Sequence, residues 1–166
     1  MFCRTPPSSA DAFLPACSRF LRRYVDSTDY TNTFRSLSSV ASTPASGDDA
    51  EAPTALQAAI EWERLGAESR AAWGGWLRRY RAALRAEGRP AAERIAEQDA
   101  TNPAIVPRNH VLVRIIEAAE RGEYAPLHSY LEALRRPYCG EGLEAKWVEP
   151  APAEPRLGVE LLSCSS

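Results

Sequence analysis

Trp73, Trp76, Leu77, Tyr80 and Leu84 follow one another at i, i+3, i+4, i+7 and i+11. On a helix this spacing puts five large side chains on one face, so residues 68–87 are predicted to be a helix that must bury that face. Gly74 and Gly75 lie inside the pattern, each costing about 1 kcal/mol relative to Ala, and mark either a kink or a close approach by another backbone. Gly88 is a natural stop, and Pro90 suits the first turn of a short helix running to about residue 99.

The other elements follow from the same rules. Residues 1–40 form a short helical segment. Phe13, Cys17, Phe20, Leu21 and Tyr24 stand near helical spacing, and the hydroxyl and amide residues of 29–37 suit helix initiation. Residues 41–54 are low in complexity, with Ser, Thr, Pro, Gly, Asp and Ala prominent, and read as a loop or a disordered insert that cannot bury enough surface to order itself. Residues 55–137 form a helical region. It opens with a helix over 54–65 carrying Leu56, Ile60 and Trp62, ended by Gly66. After residue 101 an extended linker is fixed by Pro103 and Pro107, and Asn109 serves as N-cap for the next helix.

That helix places Val111, Leu112, Ile115, Ile116 and Ala119 on one face, with Glu117 and Arg121 ordered for an i, i+4 ion pair. Gly122 ends it. Pro126 opens a partner helix with Leu127, Tyr130, Leu131 and Leu134, and Pro137 stops it. Two such stripes joined by a short turn make an antiparallel helical hairpin. Residues 138–166 form an extended Pro-rich tail, in which Pro150, Pro152 and Pro155 exclude a helix and Val159, Leu161 and Leu162 suit a short strand or a docked extended segment. The Trp73/Trp76/Tyr80 and Ile115/Ile116 faces carry more apolar surface than one small helical set covers, which favours association.

Composition sets outer limits. The chain has 166 residues, 45% hydrophobic and 25% charged, with net charge −2, which describes a soluble intracellular protein and gives no reason to expect nucleic acid as a partner. No stretch has the roughly 18 apolar residues of a membrane span. Of 20 basic residues 19 are Arg, and Lys146 is the only Lys; no Lys is placed as a Schiff-base former or as the phosphate-binding lysine of a glycine-rich loop. Residues 1–24 hold four Arg and a single acid, Asp11, the pattern of an organelle transit peptide. The aromatic stripe there favours an amphipathic helix instead.

Sequences that hold phosphate, metal or a hydrolytic triad are missing. There is no G-x-x-x-x-G-K-S/T, no G-x-G-x-x-G, no D-F-G-like run and no G-x-S-x-G. Cys3, Cys17, Cys139 and Cys164 are scattered, and His110 and His128 stand at no metal-ligand spacing from them. Glu61 and Glu63, or Glu117 and Glu120, read as solvated helix faces. Arg78, Arg79, Arg81 and Arg85 with Trp76 and Tyr80 resemble a stacking platform for RNA, but the aromatics belong to the apolar stripe and are read as core. By elimination no residue of this chain is assigned as catalytic, cofactor-binding or metal-ligating. Cys164, between serines near the end, is the one candidate for chemistry.

Three segments carry specific motifs. The first is Asp29-Tyr30-Thr31-Asn32-Thr33-Phe34-Arg35. The second runs from Trp76-Leu77-Arg78-Arg79-Tyr80 through Asn102-Pro103, Arg108-Asn109 and Ile116-Glu117-Ala118-Ala119-Glu120-Arg121-Gly122-Glu123-Tyr124 to Leu134-Arg135-Arg136-Pro137-Tyr138. The third is the end, Ser163-Cys164-Ser165-Ser166. Taken together, and in this order and spacing, they resemble the selenoprotein O family, whose members place selenocysteine or Cys before two terminal serines.

The resemblance implies the mostly α, C-terminal helical segment of a protein-kinase-like fold. It implies a protein adenylyltransferase that moves AMP from ATP to protein hydroxyls with magnesium, and for eukaryotic members a mitochondrial location. The family's glycine-rich loop, phosphate-contacting residues and metal-binding Asn and Asp match nothing here. The chain alone is therefore expected to bind neither ATP nor magnesium. The implied partners are an upstream kinase-like domain and protein substrates, and a redox role is implied for Cys164. The alternative is a non-catalytic helical interaction module that keeps this cysteine.

Overall fold

The computed structural model describes residue 20 and residues 29–150, and among them the chain is helical without strands. It divides into two compact units, Met1–Glu97 and Gln98–Ser166.

In the first unit, α1 (Tyr30–Ser36) starts at Asp29, whose carboxylate accepts the Asn32 N–H at 2.9 Å and the Asn32 side-chain amide at 3.2 Å. Such a cap satisfies one of the donors left over at a helix start and contributes about 1 kcal/mol. A 3₁₀ turn (Leu37–Ser39) follows, then the loop, α2 (Thr54–Ala59), a second 3₁₀ turn (Trp62–Arg64) and α3 (Ala67–Glu87). The predicted helix over 54–65 is interrupted. Glu61 adopts φ 49°, a left-handed conformation that stops α2 while Ile60 stays fully buried and Trp62 turns to the rim of the core.

α3 buries its predicted stripe. Trp73, Trp76 and Leu77 are at most 1% exposed, and Tyr80 and Leu84 are also buried, against Leu37, Val40, Leu56 and Ile60. Phe20 stands edge-on to Trp73 (5.0 Å) and stacks on Trp76 (5.9 Å), which in turn stacks on Tyr80 (5.0 Å). The aromatic face expected to be in excess is therefore covered within its own unit, partly by Phe20, a residue of the N-terminal stripe. The rest of that stripe lies outside the described residues. Gly74 explains itself: a Cβ there would come within 3.2 Å of the Ala50 Cβ, so the glycine permits a close approach by the loop. Gly75 meets only Arg side-chain ends at 3.9 Å. Gly88, at φ 68°, donates its N–H to the Leu84 carbonyl and ends the helix in the left-handed cap that Gly favours.

α4 (Ala91–Thr101) spans the division between the units. In the second unit, α5 (Asn109–Glu120) and α6 (Ala125–Leu134) form the predicted hairpin around Ile105, Val111, Ile115 and Tyr130. Asn109 is the first helical residue rather than the N-cap, which is Arg108 in extended geometry. Arg121 pairs with Glu123 at 3.4 Å and not with Glu117. Ile116 is 48% exposed although its neighbour Ile115 is buried.

The tail also differs from expectation. Residues Ala145–Val148 form a short helix, α7, ending before Pro150, and Trp147 enters the hairpin core, 5.6 Å from Tyr130 ring to ring. Burial of the indole outweighs the low helix propensity of its surroundings: an aromatic of that size buries about 150–250 Å². Residues 151–166, with the expected strand over Val159, Leu161 and Leu162, lie outside the described residues.

Candidate functional site

Where the loop crosses α3, the described residues hold their most developed polar constellation. Arg81 is four residues beyond Leu77 and so lies on the apolar face, 2% exposed. Its guanidinium donates to the Ala41 carbonyl at 3.1 Å and to the Asp49 carbonyl at 2.6 Å. Arg85, one turn on and more exposed, donates to the Ser42 carbonyl at 2.7 Å and grips the Asp49 carboxylate with both terminal nitrogens, at 3.0 and 2.7 Å. Arg94 reaches the carbonyls of Val40 (3.0 Å) and Ser38 (3.4 Å).

The low-complexity stretch is a loop held in place by these bonds, and not a disordered insert. Its own bonds help: the Asp48 carboxylate accepts the Ala50 N–H at 2.9 Å, and Val40 and Ala52 are buried at its two ends. Electrostatics follow the geometry. The bond from Arg85 holds the Asp49 carboxyl below its ordinary value, and the same bond raises the Arg85 guanidinium. Burial pulls Arg81 down, opposed by Asp49, Glu51 and Asp48.

Beside this clamp is an open groove of about 480 Å³, walled by Trp62 and by Arg70 at 5.9 Å over the indole, floored by Ala71 and Gly74, and rimmed by Asp48, Glu51 and Arg78. Arg70 also donates to the carbonyls of Trp62 (3.1 Å) and Glu63 (2.9 Å). The lining mixes two acids, Asp48 and Glu51, with two bases, Arg70 and Arg78, so it does not concentrate donors in the way that cradles phosphates.

In the second unit, the Tyr130 hydroxyl donates to the Val106 carbonyl (3.2 Å) and accepts the Arg108 N–H (3.3 Å), while the Pro137 carbonyl accepts the N–H groups of Ala104 (2.7 Å) and Ile105 (3.2 Å). These bonds fasten the proline-fixed linker to the hairpin. His110 Nε2 is buried without a hydrogen-bond partner, and its imidazole is held below its ordinary value by burial first and then by Arg114 and Arg108.

Cys164, the sequence candidate, lies outside the described residues with Cys3 and Cys17; Cys139 is a free, exposed thiol. Glu61 pairs with Arg64 and Glu63 with Arg70, on exposed faces. Among the described residues no three His, Cys, Asp or Glu side chains are grouped to hold a metal ion, and no helix is long and apolar enough to cross a membrane. Sequence reasoning missed the roles of Arg81, Arg94 and Trp147. For Arg81 a signal existed: a charged residue in register with an apolar stripe has to find buried acceptors.

The fold and these sites define a class first: a helical segment whose distinctive polar residues cap, clamp and space its helices. The chain is 33% identical over 163 residues, 93% of its length, to the protein nucleotidyltransferase YdiU of Tolumonas auensis. To proteins of the same name it is 37% identical over 142 residues, 85% of its length, in Salmonella arizonae, and 42% identical over 96 residues, 57% of its length, in Azoarcus sp.. No family model matches. The chain spans 18 to 30% of the length of these three relatives. It belongs to the selenoprotein O family, of which YdiU is a member, and its resemblance is to the C-terminal portion.

Proposed function

We propose that this chain is the C-terminal helical part of a protein adenylyltransferase that transfers AMP from ATP to Ser, Thr or Tyr hydroxyls of other proteins. One observation supports the reading above the rest. Relatives named as protein nucleotidyltransferases match up to 93% of this chain, while the chain matches at most 30% of the same relatives. The kinase-like core, with its ATP and magnesium sites, belongs in this reading to sequence outside these 166 residues. The chain contributes a helical scaffold and the terminal thiol of Cys164. A mitochondrial location is part of the same proposal, on the family resemblance alone, and cell fractionation tests it.

The test is to read the coding DNA upstream of Met1 and to assay transfer of labelled AMP by the longer product and by the 166-residue chain. An in-frame glycine-rich loop and activity confined to the longer product are expected. Micromolar binding of Mg-ATP by the chain alone would refute the assignment.

A non-catalytic interaction module is the competing reading. What favours it is that Asp29, Asn32, Pro137 and Tyr130, all described here, serve caps and packing; it wins if no such extension exists. In both readings Cys164 is the reactive thiol. It should be alkylated by iodoacetamide before Cys17, and peptide mapping that finds the reverse order removes the redox role.

A further inference from the structure

Opposite charges line the groove beside α3 without pairing across it. Arg70, Ala71, Gly74 and Arg78 follow at i, i+1, i+4 and i+8, so α3 sets two arginines about 12 Å apart with only small residues between them. The facing wall is the loop, with Asp48 and Glu51 on either side of the Ala50 that approaches Gly74. Among the described residues neither acid forms an ion pair with either arginine. Arg70 is already committed, to Glu63 at 3.7 Å and to the carbonyls of Trp62 and Glu63. Arg78 is exposed and makes no hydrogen bond or ion pair among the described residues.

Several groups around this groove keep unused bonding capacity. Arg78 Nη2 lies 3.9 Å from the point where a Gly75 Cβ would stand, and Arg79 Nη1 is at the same distance from it. Two guanidinium groups thus converge above Gly75 with no carboxylate of the described residues bonded to either, an arrangement that an incoming carboxylate stabilises through charge-assisted bonds. On the loop, Asp48 uses one oxygen on the Ala50 N–H and Glu51 uses one on the Ser46 hydroxyl, which leaves the other oxygen of each for a cation. Gln57 donates Nε2 to the Ala52 carbonyl at 2.7 Å, leaving its own carbonyl oxygen to accept an N–H.

We propose that this groove binds an extended peptide segment of another protein in which acidic and basic residues alternate. This goes beyond the enzymatic reading and does not depend on it. Successive side chains of an extended strand point to opposite sides, so the acids of the segment meet Arg78 while its bases meet Asp48 and Glu51. Four extended residues cover about 13 Å, which matches the wall from Arg70 to Arg78. The Gln57 carbonyl oxygen takes a peptide N–H. A peptide suits the groove better than a small molecule does: the groove is open and charged on both walls, whereas small-ligand sites enclose the ligand between mostly apolar ones.

Fluorescence polarisation of the full chain with two labelled peptides tests the proposal. Both are blocked at their ends and have one composition, Gly-Lys-Glu-Lys-Glu-Gly and Gly-Lys-Lys-Glu-Glu-Gly, so only the order of charges differs. The alternating peptide should bind about ten-fold more tightly than the block peptide. Arg78→Gln should remove about ten-fold of that affinity, while Arg136→Gln, the same loss of charge in the other unit, leaves it unaltered. Both arginines are exposed, so helical ellipticity should stay at the wild-type value, and the comparison of the two peptides needs no variant at all. Absence of binding overturns the proposal. So does equal binding of the two peptides or equal loss in the two variants, because the attraction would then be one of net charge alone. Free lysine or glutamate binding as tightly as the alternating peptide also overturns it, since the groove would then be a small-molecule site.

Discussion

Replacing Arg81 by Met tests whether the loop is held by buried hydrogen bonds or by its own composition. Methionine keeps the apolar stem that packs beside Leu77 and removes a guanidinium that bonds two carbonyls at 3.1 and 2.6 Å. Hydrogen bonds from a charged donor contribute about 1.5–3 kcal/mol each, so the gross loss is about 3–6 kcal/mol. Against this, the wild-type residue carries the cost of keeping a charge out of water, which the variant recovers in part. A net destabilisation of about 2–4 kcal/mol results, a large share of the roughly 5–15 kcal/mol that holds a typical domain. With a urea slope of about 1–3 kcal/mol per molar, the midpoint falls by about 1.5 M at the middle of both ranges, and by at least about 0.7 M. The assay is urea denaturation followed by tryptophan fluorescence in a Trp147→Phe background, so that Trp62, Trp73 and Trp76 report on the first unit. Hydrogen exchange over residues 41–52 should accelerate as well. An unchanged midpoint together with unchanged exchange in the loop would refute the clamp. Arg85→Ala, which breaks the exposed partner bond to Asp49, should weaken the loop less, and added salt should shrink the difference.

Gly75→Ala should stabilise the first unit by about 1 kcal/mol, since it replaces a mid-helix glycine where only Arg side-chain ends are near, whereas Gly74→Leu should cost about 1–3 kcal/mol by driving the Ala50 backbone away; thermal melts of the pair decide it by their opposite signs. Trp147→Ala should cost about 3–5 kcal/mol and raise hydrogen exchange in α5 and α6, and a hairpin that exchanges as before would mean that α7 is not part of that core. His110 gives a pH signature: its value is depressed in the folded state, so the unfolded chain takes up the proton first, near 6.5, and the stability it provides is complete above that and lost as pH falls through the folded value. Urea midpoints read by Trp147 should therefore drop between pH 7.5 and about pH 5, and His110→Gln should flatten that slope.

The linear sequence determined the long α3 with its buried stripe and the α5–α6 hairpin, but not the break at Glu61, the short α7 or the exposure of Ile116. The Trp73-to-Leu84 stripe and the hairpin carry strong 3.6-residue periodicity bounded by Gly and Pro, and local geometry alone fixes such patterns. It also carried the family resemblance, because that depends on the order of residues and not on their contacts. The tertiary structure decided how the polar residues are used. Asp29 was legible as part of a motif, but its role as a cap depends on the Asn32 N–H being brought to its carboxylate. A low-complexity loop was ordered by Arg81 and Arg85, side chains 40 and more residues away from the carbonyls of Ala41 and Ser42 that they hold, and a Trp in a proline-rich tail became core. These interactions join positions far apart in the chain, and no periodicity in a short window records them. The physical reason is the same in each case. Helix formation is driven by neighbours three and four residues away, whereas a buried charge or a stray indole is stabilised only by whatever the folded chain brings to it.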